Sequence, residues 1–230
     1  MEPIKETMTG KERIEAAIAL QPTDRVPVMP LAFDLFPCRY QGLTPAEFLA
    51  NMDRGTEAVM KTFDELGGWD EAFLQGAFNE FAFALLIPMR FLMPGRDLPP
   101  EAIWQFDERE VMTVEDYDTI IQKGWNAFWA GFLPRIRPYG PEAIPAKSQE
   151  WVGQAVKDIK KWEAKGVSCY TGAPSVLPFD AFSMMRSLKQ FTLDLYRIPD
   201  KVIAAMEAAL PEIIGTTIAG IEQITHIPRV

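Results

Sequence analysis

The chain has 230 residues, enough for one large domain or two small ones. A balance of 48% hydrophobic to 24% charged residues is that of a globular protein with a sizeable core. A net charge of −9 and a pI near 4.8 argue against an extended nucleic-acid or anionic-membrane surface, which needs clustered Lys and Arg, but leave room for a local basic pocket.

The polar start MEPIKETMTGKER has no apolar segment of the signal-peptide kind. Thr9 to Leu20 reads as an amphipathic helix with Ile14, Ala17 and Ile18 on one stripe. Pro22 to Arg25 breaks the chain, and Val26 to Leu31 (VPVMPL) follows as a first, proline-flanked strand. Thr44-Pro45-Ala46-Glu47 is a helix start, with threonine as cap, proline in the first turn and a carboxylate at the positive end of the dipole. That helix is expected to run to Leu66, with a break near Arg54-Gly55, and to stop at Gly67-Gly68.

Trp69 to Leu74 reads as a second strand, and the aromatic stretch Phe78 to Met93 has no clear type. Within it, Phe81 to Met89 is the most apolar run. It is far shorter than the roughly 20 residues that span a bilayer, so a soluble, cytoplasmic protein is expected. Pro94 to Pro100 is a surface turn, the acidic run Asp107 to Glu110 a solvated face, and Val114 to Gly124 a short helix. Four prolines between Phe132 and Pro145 predict a loop, so residues 94–145 form a proline-rich excursion. Gln149 to Lys165 is an amphipathic helix capped by Gly166, and Val167 to Tyr170 a third strand followed by the turn Gly172-Ala173-Pro174. Helices are expected over Phe179 to Tyr196 and Asp200 to Ile218, and a fourth strand from Ile224. Strands separated by helices imply an α/β fold with a parallel sheet, its working surface at the C-terminal ends of the strands, with residues 1–230 as a single domain.

Several pieces, in this order, resemble the uroporphyrinogen decarboxylase superfamily. They are Met8-Thr9-Gly10-Lys11-Glu12-Arg13 with Asp24-Arg25-Val26-Pro27-Val28, then Gly172-Ala173-Pro174, then Phe191 to Val202 (FTLDLYRIPDKV). The resemblance implies a (β/α)8 TIM barrel, of which this chain would be the N-terminal part, with about four strands; Ile224 to Val230 (ITHIPRV) would be the start of the fourth strand of a longer enzyme. It also implies one of two chemistries. The decarboxylases bind propionates through an Arg-Gln-Ala-Gly-Arg-Tyr loop after the first strand and hold pyrrole nitrogens with an aspartate after the second. The methyltransferases serve a corrinoid carried on a partner protein and use zinc to activate a thiol.

Laid over the decarboxylase loop, Arg39-Tyr40 matches its end, but the first arginine falls at Leu35 and the aspartate near Ala77. The stretches Pro94 to Pro99 and Trp104 to Glu108 look closer to the methyltransferase-like members. Methyl transfer linked to a corrinoid protein is therefore expected, with uroporphyrinogen decarboxylation as the alternative. A third, non-enzymatic alternative is an incomplete barrel that acts as an assembly module, pairing with itself or with a missing half. The fragment is expected to bind no cofactor itself, with zinc in a full-length parent, and its substrate is a small molecule or a tetrapyrrole.

Candidate binding residues are Asp34, Arg39 and Tyr40 after the first strand, Asn79 after the second, and Tyr170 and Asp180 about the third. An arginine at a barrel mouth suits an anion, whereas Asp180 also fits the first turn of a helix. Cys38, Cys169 and His226 are a candidate Cys2His zinc set, although two lone cysteines are also ordinary core side chains. Phe78 to Met93 is either core or the lining of a pocket for a large ring.

Overall fold

Helix α1 (Gly10–Ile18) starts with reciprocal capping. The Glu12 N–H donates to the Thr9 hydroxyl at 3.2 Å, and the Thr9 N–H donates to the Glu12 carboxylate at 2.8 Å. Its buried side differs from the expected stripe: Ile14 is buried, Ile18 is exposed, and Arg13 takes an inner place because two aspartates meet it there. The computed structural model describes residues 6–30, 35–73, 80–81, 87–137, 139–170 and 175–224.

The described elements are, after α1, α2 (Leu35–Tyr40), α3 (Pro45–Ala50), α4 (Met52–Leu66), β1 (Glu71–Phe73), β2 (Arg90–Leu92), β3 (Gln105–Asp107), α5 (Val114–Lys123) and α6 (Trp125–Ile136). A 3-10 turn (Pro141–Ala143) leads to α7 (Ile144–Ala164), β4 (Ser168–Tyr170), α8 (Pro178–Met185), α9 (Leu188–Arg197) and α10 (Pro199–Ile224). The chain is a helix-rich α/β protein.

Strands β1 and β4 pair in parallel, with Ala72 opposite Cys169 and Phe73 opposite Tyr170. These are the second and third strands expected from the sequence, joined as a crossover topology requires. The first expected strand does not form over residues 26–30. Its backbone still meets the next one: the Asp70 N–H donates to the Val28 carbonyl at 2.8 Å, and the Val28 N–H to the Asp70 carboxylate at 2.7 Å. Pro27 and Pro30 lack the N–H groups that a longer ladder would use. Leu31 lies outside the described residues.

The structure corrects four further expectations. Strands β2 and β3 form an antiparallel hairpin, Arg90 opposite Asp107, closed by the expected proline-rich turn, so Asp107 belongs to a strand rather than only to a solvated run. The helix break falls at Asn51, not at Arg54-Gly55, because Asn51 ends α3 and its side chain caps α4 by accepting the Arg54 N–H at 3.0 Å. Residues 132–136 and 144–145 are helical: Trp125, Phe128, Phe132 and Ile136 bury one face of α6, and Pro134 is carried inside its last turn. Ile224 ends helix α10, because Ile214, Ile218, Ile221 and Ile224 keep a helical spacing; the rest of the expected fourth strand lies outside the described residues. In addition, the helix expected over 179–196 is split at Arg186-Ser187, where Ser187 takes a left-handed φ of 63°.

Buried apolar residues form two clusters. The first draws on residues 91–136 and 181–213, centred on Tyr117, Phe128, Phe132, Phe182 and Phe191. The second draws on residues 38–72 and 159–169, including Phe48, Val59, Trp162 and both cysteines. Leu49 packs against both.

Candidate functional site

Helix α4 ends just before β1, and α7 ends just before β4. Each therefore runs back along its strand, and its N-terminal half lies towards the C-terminal ends of the parallel pair, where such folds keep their sites. A cleft of about 640 Å³ opens between these helix starts. Asn51 and Asp53 come from the α3–α4 junction, Lys147 and Gln154 from α7, and Phe81, Met93 and Tyr139 supply apolar wall.

Arg137 lies behind that wall. Only 8% of it is exposed, and its guanidinium sits 4.7 Å from the Phe81 ring centre and 5.7 Å from that of Tyr139. Nη1 donates to the Phe81 carbonyl at 3.3 Å and to the Tyr139 hydroxyl at 2.6 Å. Nε and Nη2, which together form the side edge of the guanidinium, have no hydrogen-bond partner among the described residues. Leaving a buried donor unmade costs roughly 1–3 kcal/mol, and more for a charged group. Burial pushes the Tyr139 hydroxyl above its usual pKa, against the pull of Arg137. It therefore stays a phenol at neutral pH, and because its oxygen accepts from Arg137, its own proton is left to donate elsewhere.

The acids at the rim are matched by local cations. Arg96 holds the Glu80 carboxylate through two bonds of 2.7 and 2.9 Å. Asp53 accepts from Lys157, Gln154 and Lys161, which hold its carboxyl well below the usual range, Lys157 most of all.

The candidates chosen from sequence do not gather here. Arg39 is exposed and donates to the Glu101 carbonyl, and Tyr40 packs its ring 5.8 Å from Phe36. Asp180 is exposed in the first turn of α8, the place where a carboxylate offsets the helix dipole. Tyr170 is a strand residue opposite Phe73. Asp34, Asn79 and His226 lie outside the described residues, as does the Gly172-Ala173-Pro174 turn. Cys38 and Cys169 are buried in the same core cluster, and burial pushes the Cys169 thiol up to about 12, with Glu71 and Asp158 adding to the effect. A thiol so held stays protonated at neutral pH and behaves as a small core side chain rather than a thiolate ligand. Among the described residues no group of three or more His, Cys, Asp or Glu is placed to hold a metal.

No family model, no curated protein and no solved structure matches this chain.

Two groups of buried charged side chains escaped the sequence reading. Arg137 and Tyr139 sit in Arg135-Ile136-Arg137-Pro138-Tyr139, where the prolines suggested only a loop. The usable signal was a pair of arginines directly after an aromatic helix face. The second group is built on Arg13, only 1% exposed, which donates to Asp24 at 2.6 Å and also to Asp70 and the Met8 carbonyl, while Arg25 reaches Asp70 at 2.7 Å. These residues lie in the opening motif quoted above. Asp70 immediately precedes β1, so the cluster marks the N-terminal end of the strand, opposite the end at which parallel α/β sheets bind ligands.

Proposed function

We propose that this chain is a member of the uroporphyrinogen decarboxylase superfamily, laid out on the plan of a (β/α)8 barrel, and that it serves methyl transfer linked to a corrinoid on a partner protein. The observation that carries this reading is the parallel pairing of β1 with β4, with the cleft on the side where those strands end. Decarboxylation ranks second on electrostatic grounds. A substrate with many carboxylates needs several convergent guanidinium groups. The cleft has Arg137 behind its wall and Asp53, Glu80 and Glu150 in its lining, and Arg39 is engaged elsewhere. Cys38 and Cys169 do not fit the zinc that the methyltransferases use, because both are core side chains and the Cys169 thiol is held protonated. The chain's own contribution is to bind and orient a partly apolar substrate along Phe81 and Met93.

The test is to incubate the protein with a methylated corrinoid and a thiol, with and without added zinc, and to follow the methylcorrinoid absorbance. Loss of that absorbance supports the reading. Formation of coproporphyrinogen from uroporphyrinogen without metal, and no methyl loss, replaces it with decarboxylation.

A second reading, an assembly module, is favoured by α10. One face carries Val202, Ala205, Ala209 and Ile213 into the first core, while Ile203, Leu210, Ile214 and Ile218 on the other are exposed. Over Pro199–Gly220 this helix is long and apolar enough to cross a membrane by length and composition, with a mean hydropathy of 1.5, longer than the run noted from sequence. Its packed face, the Lys201–Asp118 ion pair and the Glu212 bond to the Asn126 N–H tie it to the protein core. In this reading the exposed face is covered by a second copy of the chain.

A further inference from the structure

We infer that Asp158 is a buried carboxylic acid that keeps its proton at neutral pH and pins α7 to α4 beside the cleft, a pH-sensitive contact that alkali weakens.

The count of protons at Thr56 carries the inference. Its Oγ1, on α4, stands 3.0 Å from the Met52 carbonyl oxygen and 2.7 Å from Oδ2 of Asp158 on α7. A hydroxyl has one proton, so it cannot donate to both. Thr62, on the same helix, shows the arrangement that satisfies such a group. It donates to the Ala58 carbonyl at 2.8 Å and accepts from the Gln41 amide at 3.1 Å. Thr56 can do the same only if Asp158 supplies a second proton, Oδ2–H donating to Oγ1 while Oγ1 donates to Met52. The other carboxyl oxygen, Oδ1, accepts from Gln154 Nε2 at 2.9 Å, and that amide also donates to Asp53 at 3.1 Å. Each of these groups then has a partner.

The surrounding charges agree. Asp24, Asp70 and Asp194 are buried, and each meets an arginine within 2.7 Å. Asp158 is fully buried and meets no arginine among the described residues. The cation that faces it, Lys161 of its own helix, stands 3.8 Å away and is bonded at 3.1 Å to Asp53. Asp53 faces it from α4 as a second carboxylate. Cys169 faces it from β4 as a protonated thiol, which Glu71 of β1 and Glu163 of α7 also adjoin. Burial, opposed by the bonds from Thr56 and Gln154, raises the Asp158 carboxyl above the usual carboxylate range. Once ionised, it is a buried charge joined to Asp53 through one amide, which favours parting of the two helices. Met52, Asp53 and Gln154 also line the cleft, so the contact sets the spacing of its walls.

The contact is independent of methyl transfer, and the experiment does not require that activity. A carbon-13 titration of the unmodified protein should find one aspartate Cγ resonance still in its protonated position at neutral pH, where an ordinary aspartate is ionised. Asp158→Asn should remove that resonance. Urea denaturation then compares the protein with Asp158→Asn, whose amide can donate to Thr56 and accept from Gln154 as the acid does. Above pH about 4 the unfolded carboxyl is ionised and the native one is not, so the native state holds one proton more and its stability falls as the pH rises. The folding constant should therefore drop relative to that of the variant by up to about tenfold per pH unit above pH about 5, and level off once Asp158 ionises. The exposed Asp180→Asn should show no such drift. At alkaline pH the amides of residues 52–58 and 154–161 should lose hydrogen-exchange protection in the unmodified protein and keep it in Asp158→Asn. Every aspartate Cγ in its ionised position at neutral pH, a readout that needs no variant, would overturn the proposal. So would a ratio of folding constants that stays level with pH, or equal protection in the two proteins.

Discussion

Asp194 shows what a buried charge looks like when its partners are complete. It accepts from Arg186 Nε at 2.7 Å and from the Tyr117 hydroxyl at 3.0 Å, while Arg186 Nη1 reaches the Met112 carbonyl at 2.6 Å. Asp194→Ala would leave that arginine with only the part-exposed Glu110 as a counter-charge, and removing one member of a buried pair costs up to about 3–5 kcal/mol. Urea denaturation at neutral pH should show a loss on that scale. Arg137→Met should behave oppositely, holding or raising the Tm, because it removes a buried cation that has no carboxylate to strand. Asp24 sets a pH dependence. The Arg13 guanidinium, then the N–H groups of Met8 and Thr7, hold its carboxyl well below the usual carboxylate range. In the unfolded chain the same group titrates near 4. The native state thus holds fewer protons, so this contribution is complete above pH about 4 and drains away as the pH falls further. Asp24→Asn should flatten that acid limb in a stability–pH series; an unchanged limb would assign acid sensitivity to other carboxylates. None of these pairings was legible in the sequence, because no helical or strand spacing relates the partners and only the folded backbone brings them together.

At the scale of elements, local chemistry was readable and long-range compensation was not. The starts at Thr9, Thr44 and Val114 and the stops at Gly67, Gly124 and Gly166 follow from capping residues that act within one turn. Helix α6 was missed because Pro134 argues against it locally, whereas burial of Trp125, Phe128, Phe132 and Ile136 argues for it from across the core. Two glycines make close junctions. Gly124, at φ 85° between α5 and α6, would with a Cβ run into one oxygen of Glu212, whose other oxygen accepts the Asn126 N–H at 2.8 Å. Gly124→Ala should therefore cost more than about 1 kcal/mol, read as a lowered Tm. Gly10 lets α1 rest on the strand entry, where an added Cβ would meet the Asp70 carbonyl oxygen at 2.6 Å.

For the whole molecule, the order of strands and helices was legible from the sequence as far as the parallel pair of β1 and β4. The hairpin of β2 and β3 was not, since its strands are three residues each and one lies in an aromatic run without period. The exposed side of α10 belongs to this scale too. If a second copy covers Ile203, Leu210, Ile214 and Ile218, the mass by light scattering should rise with concentration, and Ile214→Glu should return it to that of a single chain. A concentration-independent single-chain mass with no binding of a hydrophobic dye would remove the assembly reading.

The two apolar clusters are interleaved along the chain: residues 38–72 complete their core only with 159–169, and residues 91–136 only with 181–213. Neither core can therefore close while the ribosome has made only the first half, and the nascent chain carries two unfinished apolar surfaces at once. The same interlacing means that a nick in the 3-10 turn at Pro141–Ala143 would part the backbone without parting the protein. Each piece would hold half of both cores, and the pair should travel as one species through gel filtration until denaturant separates them.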